Sequence, residues 1–305
     1  MDLALALGGG GVRGISHIGV IRCLEEEGFH IRAIAGASAG SIAGALYAAG
    51  YTPLEIEDII ARVDQKKIFG RKPSDGPSLM GLAGLTGLLV DLLDDKEFDD
   101  LRLPFAAVCV DLKAGQEVVI NQGNVVQAIL ASAAVPGVFP PKQIGDSLLI
   151  DGSVLNPVPV NIARWLVPDL PVAAVILSQF PSAQPHDPFS PPIPLPGPAQ
   201  FKEYLSHLRL AQAFNIFVRS VGIGSDSLAE LRLQVDRPEV IIHPEVSTIG
   251  ILDRVNIHNL VECGYQACKA ALPDLKKAVS RSGTIKRRQR KTVIQEPALV
   301  KLTLN

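Results

Sequence analysis

Twice in the first fifty residues an apolar run breaks at a glycine turn and a helical pattern follows. Residues 3–7 end at Gly8, and residues 15–27 then read as a helix closed by Gly28. Residues 31–35 form a second apolar run. It passes through another glycine-flanked turn into a helix over 41–49, closed by Gly50. Parallel neighbours in a sheet need a long crossover between them, so two such units in succession predict a parallel sheet with helices laid on it. A strand covered on both faces has no solvent side, which fits runs that are apolar nearly throughout, Arg32 being the exception. The fold class that follows is α/β, a mostly parallel central sheet with helices on both faces.

The rest of the chain fits this frame. A helix is expected over 53–63, with Pro53 in the first turn where its missing N–H costs nothing. Strands are expected over 105–111 and 117–120, joined at Ala114-Gly115, and over 148–150, 172–178 and 240–243. Further helices are expected over 87–93, 125–134, 199–221 and 253–272. Residues 66–86 are rich in Gly, Pro, Ser and Leu and read as a loop or mobile cap. Residues 181–198 hold eight prolines and read as a surface excursion. Residues 1–280 are taken as one domain and 281–305 as a basic, flexible tail carrying Lys286, Arg287, Arg288, Arg290 and Lys291.

Bulk properties remove several function classes. Of 305 residues, 47% are apolar and 20% charged, enough for a sizeable core in a soluble protein. A net charge of −2 and a pI near 6.3 argue against a nucleic-acid partner. Cys23, Cys109, Cys263 and Cys268 show no C-x-x-C spacing and no nearby histidine, so they read as buried or half-buried thiols rather than zinc ligands. Asp91, Asp94, Asp95, Asp99 and Asp100 do not follow calcium-loop spacing. No metal and no cofactor is expected. Asp2 and the glycines after Leu7 speak against a signal peptide. No run reaches the roughly 18 apolar residues of a membrane span. The expected location is cytoplasmic, at most peripheral to a membrane.

Three motifs carry chemistry. Gly36-Ala37-Ser38-Ala39-Gly40 matches G-x-S-x-G between a strand and a helix, the setting of a nucleophile elbow. Gly8-Gly9-Gly10-Gly11-Val12-Arg13-Gly14 also joins a strand to a helix, and side-chain-free residues there can turn backbone N–H groups toward an oxyanion. The competing reading of that loop is a dinucleotide cradle. Its spacing matches the dinucleotide fingerprint only loosely, and no acidic residue closes the second strand near Ala35 to hold a ribose. Asp151-Gly152-Ser153 follows a strand, so the aspartate can project into a cleft at the carboxyl edge of the sheet.

Together the three motifs resemble the patatin-like phospholipase family. That family carries G-G-G-x-[RK]-G, then G-x-S-x-G, then D-G-[GA]. Ala131-Ser132-Ala133-Ala134-Val135-Pro136-Gly137-Val138-Phe139-Pro140-Pro141 is similar to its A-S-x-A-x-P-x-x-F-P segment. Ser153 departs from the pattern, standing where glycine or alanine is usual. The resemblance implies a patatin-like three-layer sandwich and a lipid acyl hydrolase working through a serine–aspartate dyad and an acyl-enzyme. Ser38 would then be the nucleophile and Asp151 its base. Gly9, Gly10, Gly11, Val12 and Arg13 would form the oxyanion hole, Gly36 and Gly40 the elbow, and Gly152 the partner of the aspartate. Lipid or phospholipid would be the substrate.

Several alternatives stay open from the residues. A Ser-His-Asp triad would draw on His243 or His258. His17, early in the first helix, reads as a packing residue near the site. The stretch 64–100 is either a mobile cap lining an acyl channel or an ordinary hydrophobic subdomain. The basic tail is either solvated or drawn to anionic headgroups. The whole chain could also be a catalytically quiet binding module on the same fold.

Overall fold

The computed structural model describes residues 1–65, 67–70, 78, 80–177, 201–289 and 296–300; within 201–215 and at 281, 286, 288 and 289 it describes the helical backbone alone. The first half holds β1 (Asp2–Leu7), a 3-10 turn (Gly11–Ile15), α1 (Ser16–Glu26), β2 (His30–Ala37), α2 (Ala39–Ala48), α3 (Pro53–Arg62) and α4 (Ala83–Leu93). Then come β3 (Phe105–Asp111), β4 (Gln116–Ile120), α5 (Val125–Ser132), β5 (Lys142–Ile144), β6 (Ser147–Asp151), α6 (Val160–Leu166) and β7 (Val172–Val175). The chain closes with α7 (Phe201–Asp236), β8 (Val240–Ile242), α8 (Ile257–Ala278) and α9 (Arg281–Gln289). The proline-rich stretch 181–198 lies outside the described residues.

The sheet order is β5-β6-β3-β2-β1-β7-β8, with β4 also on β3. Strands β3, β2, β1, β7 and β8 run parallel, while β4 and β6 pair with β3 antiparallel, as β5 does with β6. The expected mostly parallel sheet is therefore present. In β1, Leu3, Leu5 and Leu7 face one layer with α1, α2 and α8, while Ala4 and Ala6 face the other with α6. All five are buried. The Leu/Ala alternation thus sets the depth of each layer: large side chains on one face, close helix approach on the other. Burying one such leucine contributes about 1.5–3 kcal/mol, and Leu5→Ala in the middle of the strand would cost about 2–5 kcal/mol.

Helix starts follow local chemistry. Thr52 caps α3 in a reciprocal box with Glu55, and Pro53 takes the first helical position. Asn124 caps α5 through the Gln127 N–H, and Asn256 caps α8 through the Asn259 N–H.

One feature of the topology positions the site. A strand has two hydrogen-bonding edges, and β4 takes one edge of β3 across 107–111. Ala37 at the end of β2 pairs with Val108 on the other edge. The next residue, Cys109, pairs on that same edge with Asp151 at the end of β6. β2 runs with β3 and β6 runs against it. The two strands therefore meet head-on along one edge, carboxyl end to carboxyl end.

Some expectations need correction. α4 begins at Ala83, within the stretch read as loop, and its Leu85, Leu89 and Leu93 are buried in the main core. α7 runs on to Asp236 and α8 to Ala278 despite Pro273. The tail is not simply flexible: 281–289 is helical, and 298–300 returns to pair with Val119. The physical reason is that β4 is an edge strand, whose outward N–H and C=O groups need partners.

Candidate active site

Ser38 joins β2 to α2 with φ 51° and ψ −120°, the geometry of the first central position in a type II′ turn, where glycine is normally required. A non-glycine residue here is strained and must be held. Two serines hold it. Ser132 Oγ accepts the Ser38 N–H at 3.0 Å and donates to the Val108 carbonyl at 2.7 Å. Ser41 Oγ donates to the Ser38 carbonyl at 2.6 Å. The flanking glycines are needed for contact. A Cβ at Gly36 would come within 2.6 Å of Ser41 Cα, and one at Gly40 would strike the backbone of Leu7. Ser38 itself is 6% exposed.

Asp151, 3% exposed, ends β6 directly ahead of Ser38. Its carboxyl accepts the Ser153 backbone N–H at 2.7 Å and lies near enough to the Ser38 hydroxyl for the two to interact. Burial raises the Asp151 pKa, and these neighbours pull it part of the way back. Its backbone N–H donates to the Ala134 carbonyl at 3.0 Å. The segment 131–141 thus grips both partners, Ser38 through Ser132 and Asp151 through Ala134. Gly152 lies on the Val108 carbonyl with no room for a side chain. The Ser153 hydroxyl sits beside the carboxylate and against Gly9, without a well-aligned partner of its own.

The glycine loop passes over this pair. Of its backbone N–H groups, Gly9 donates to Pro157, Val12 to Ile251 and Arg13 to Gly10. Those of Gly10 and Gly11 have no acceptor among the described residues. The Arg13 side chain is buried and hydrogen-bonded to backbone carbonyls. Its Nε donates to the Ile249 carbonyl at 2.6 Å and its Nη1 to the Leu177 carbonyl at 3.0 Å. Arg13 therefore clamps the loop to the end of β7 and to the segment before α8. His17 lies under the loop, its Nε2 donating to the Gly8 carbonyl at 2.8 Å. Burial drives its pKa down to about 4, which keeps the ring neutral.

Ser38, Asp151, Gly9, Gly10, Gly11 and Arg13 open onto one cavity of about 510 Å³. Its other walls include Val135, Pro136, Ile176 and Leu177, with residues 218–230 of α7 on the open side. No histidine among the described residues lines it. His258 instead donates from Nδ1 to Glu57 at 2.6 Å, on α8. No described residue of 64–100 lines the cavity; residues of α7 do. No group of three or more His, Cys, Asp or Glu suited to a metal occurs among the described residues.

Sequence reasoning missed two parts of this site. Ser132 lay within a quoted motif, but nothing local marks its hydroxyl as the elbow's tether. The α7 wall falls where two glycines, Gly222 and Gly224, blur the helical pattern.

Comparison with known proteins agrees with this geometry. The chain is 33% identical over 286 residues to an uncharacterised NTE family protein of Mycobacterium tuberculosis, covering 90% of this chain and 47% of that protein. It is 32% identical over 184 residues to mouse patatin-like phospholipase domain-containing protein 6, covering 58% of this chain and 14% of that one. The chain thus spans about half the length, or less, of the curated relatives it matches. Among solved structures, VipD from Legionella pneumophila superposes with a TM-score of 0.52 at 15% identity, covering 90% of this chain and 66% of that one, a likeness of fold. The sequence profile described as Patatin-like phospholipase matches residues 5–164, a span that holds the glycine loop, the Ser38 elbow and Asp151, and the chain belongs to that family.

Proposed function

We propose that the chain is a lipid acyl hydrolase that cleaves carboxylic esters through a Ser38–Asp151 dyad. The observation that carries this reading is the convergence of the buried Ser38 and Asp151 on one cavity, at two strand ends registered on adjacent residues of β3. Ser38 Oγ attacks the ester carbonyl while Asp151 accepts its proton. A raised pKa makes the carboxylate a better base than it would be in water. The N–H groups of Gly10 and Gly11 receive the oxyanion; losing one such donor typically costs about 10²–10³ in turnover. Asp151 passes the proton to the leaving alcohol, and an acyl-Ser38 remains. Water then attacks that ester with Asp151 again as base, and the fatty acid departs. Arg13 acts through the loop it clamps.

The apolar walls from Val135, Pro136, Ile176 and Leu177 favour an acyl chain, so the substrates are lipid or phospholipid esters. No helix among the described residues is long and apolar enough to cross a membrane. We place the enzyme at lipid surfaces as a peripheral protein.

The test is hydrolysis of a panel of phospholipids and p-nitrophenyl esters, run with a serine-directed fluorophosphonate probe. Wild type is expected to turn over lipid esters and take the label. Ser38→Ala loses both, and Asp151→Asn loses turnover while staying folded. Full turnover in Asp151→Asn removes the assigned base. A folded wild type that neither labels nor hydrolyses any ester indicates a binding module instead.

A further inference from the structure

Away from the cavity, α1 and α8 run parallel and meet at a glycine crossing. A Cβ at Gly19 would come within 2.7 Å of the Tyr265 nitrogen, and one at Gly264 within 2.7 Å of the Ser16 carbonyl carbon. Neither helix tolerates a side chain at its crossing point, so the backbones approach closely. Cys23 and Cys268 each stand four residues after these glycines, one helical turn further on and on the same face. Both are fully buried free thiols on facing turns of the two helices, near enough to interact. Ion pairs from Glu27 to Lys269 (2.7 Å) and to Lys276 (3.0 Å) close the crossing on its outer side.

We propose that Cys23 and Cys268 form a modification site, at which a peroxide oxidant joins them in a disulfide tying α1 to α8. The neighbouring Cys268 thiol and the nearby Lys269 ammonium outweigh burial and favour the thiolate at Cys23, making it the attacking sulfur. Cys23 attacks one peroxide oxygen and becomes a sulfenic acid, the other oxygen leaving as water. The Cys268 sulfur then attacks the Cys23 sulfur and expels hydroxide, which takes up the released proton as a second water. Two thiols lose two electrons, and one peroxide gains them. Access comes from α8 itself. Pro273 has no N–H to offer the Lys269 carbonyl, so the helical ladder has a gap in the turn after Cys268. A water-sized oxidant needs only a local opening there.

The link would act on the glycine loop's mounts. α1 begins directly after that loop, and α8 follows the segment whose Ile249 and Ile251 carbonyls hold Arg13 and Val12. A disulfide fixes these mounts to one another and, by closing most of the chain into a loop, stabilises the fold.

The experiment treats the full chain with hydrogen peroxide and then maps cysteines by mass spectrometry of a non-reduced digest. A Cys263→Ser background removes the half-exposed thiol that would otherwise join two molecules. The expected result is a peptide pair joined through residues 23 and 268, lighter by two hydrogens. The thermal midpoint rises by at least about 4 °C and returns on adding dithiothreitol. Cys268→Ala shows no such rise. Recovery of both residues as thiols, under conditions that fully oxidise Cys263 in the wild type, overturns the proposal. So does a sulfinic acid on Cys23 without the cross-link. Neither readout requires catalysis, so an inactive protein tests the site equally well.

Discussion

Ser132 ties the Ser38 peptide to β3, and Ser132→Ala should show how much that tie is worth. The side chain is 0% exposed; its Oγ accepts the Ser38 N–H at 3.0 Å and donates to the Val108 carbonyl at 2.7 Å. Removing the hydroxyl leaves two buried backbone groups without these partners. Each orphan costs about 1–3 kcal/mol, so the variant should lose about 2–6 kcal/mol of stability. At about 2–4 °C per kcal/mol for a large domain, the thermal midpoint should fall by at least about 4 °C. The catalytic effect is expected to be larger. Ser38 is held at a positive φ that costs about 1–3 kcal/mol, and its N–H anchor is what opposes relaxation. A shift of about 1 Å in the reacting oxygen is worth about 10² in rate. Differential scanning fluorimetry and the rate of fluorophosphonate labelling, both measured on folded protein, read the two effects. Ser41→Ala is the control: it deletes one bond, to the Ser38 carbonyl, and should cost roughly half the stability. A midpoint shift under about 2 °C with an unchanged labelling rate would refute the tether.

Three further outcomes are expected. Burial raises the folded-state pKa of Asp151, so its ionisation opposes folding as pH rises through that value. Asp151→Asn should therefore melt higher than wild type at neutral pH, with the gap closing toward the ordinary carboxylate range; a lower melting point at neutral pH contradicts the assignment. His17 has the opposite linkage, since its folded pKa of about 4 lies below the ordinary 6.5, and the unfolded chain takes up the proton first on acidification. Acidification from pH 7 to pH 4 should cost about 3 kcal/mol through this ring, and His17→Gln should not lose that amount in urea titrations; equal acid sensitivity removes His17 as the source. Gly222 lines the cavity, and a Cβ there meets nothing within 4 Å. Gly222→Phe should cut turnover of long-chain relative to short-chain p-nitrophenyl esters by about tenfold or more without loss of stability. An unchanged chain-length profile would remove α7 from the acyl wall.

The readable parts of this molecule are those where backbone contact forces a residue type. Gly36 and Gly40 stand where any side chain would strike backbone, and so the elbow is visible as a motif. β1 and the second half of β2 are visible because burial on both faces leaves no polar position over 3–7 and 33–37. The short β6 is different. Its five residues carry no sign of direction, so nothing local says that it runs antiparallel and meets β2 end to end. The same holds for Ser132, whose partners Ser38 and Val108 are far away in the chain. The return of 298–300 to β4 depends on an edge that exists only once the sheet is assembled.

The head-on meeting of β2 and β6 explains how the proposed Ser38–Asp151 dyad would hold its geometry without a third side chain to orient the base. In a triad, a histidine swings on its own torsions and needs an acid to fix it. Here each functional group stands at a strand end, and both strands are registered on adjacent residues of β3, Val108 and Cys109. Their separation is set by one step of backbone hydrogen bonding. The remaining freedom is in two short side chains. Ser153 N–H fixes the carboxylate, and Ser132 fixes the peptide that carries the hydroxyl. A defect in β3 should therefore move both groups together, whereas loss of either serine contact should move one against the other and do more damage to chemistry for less cost in stability.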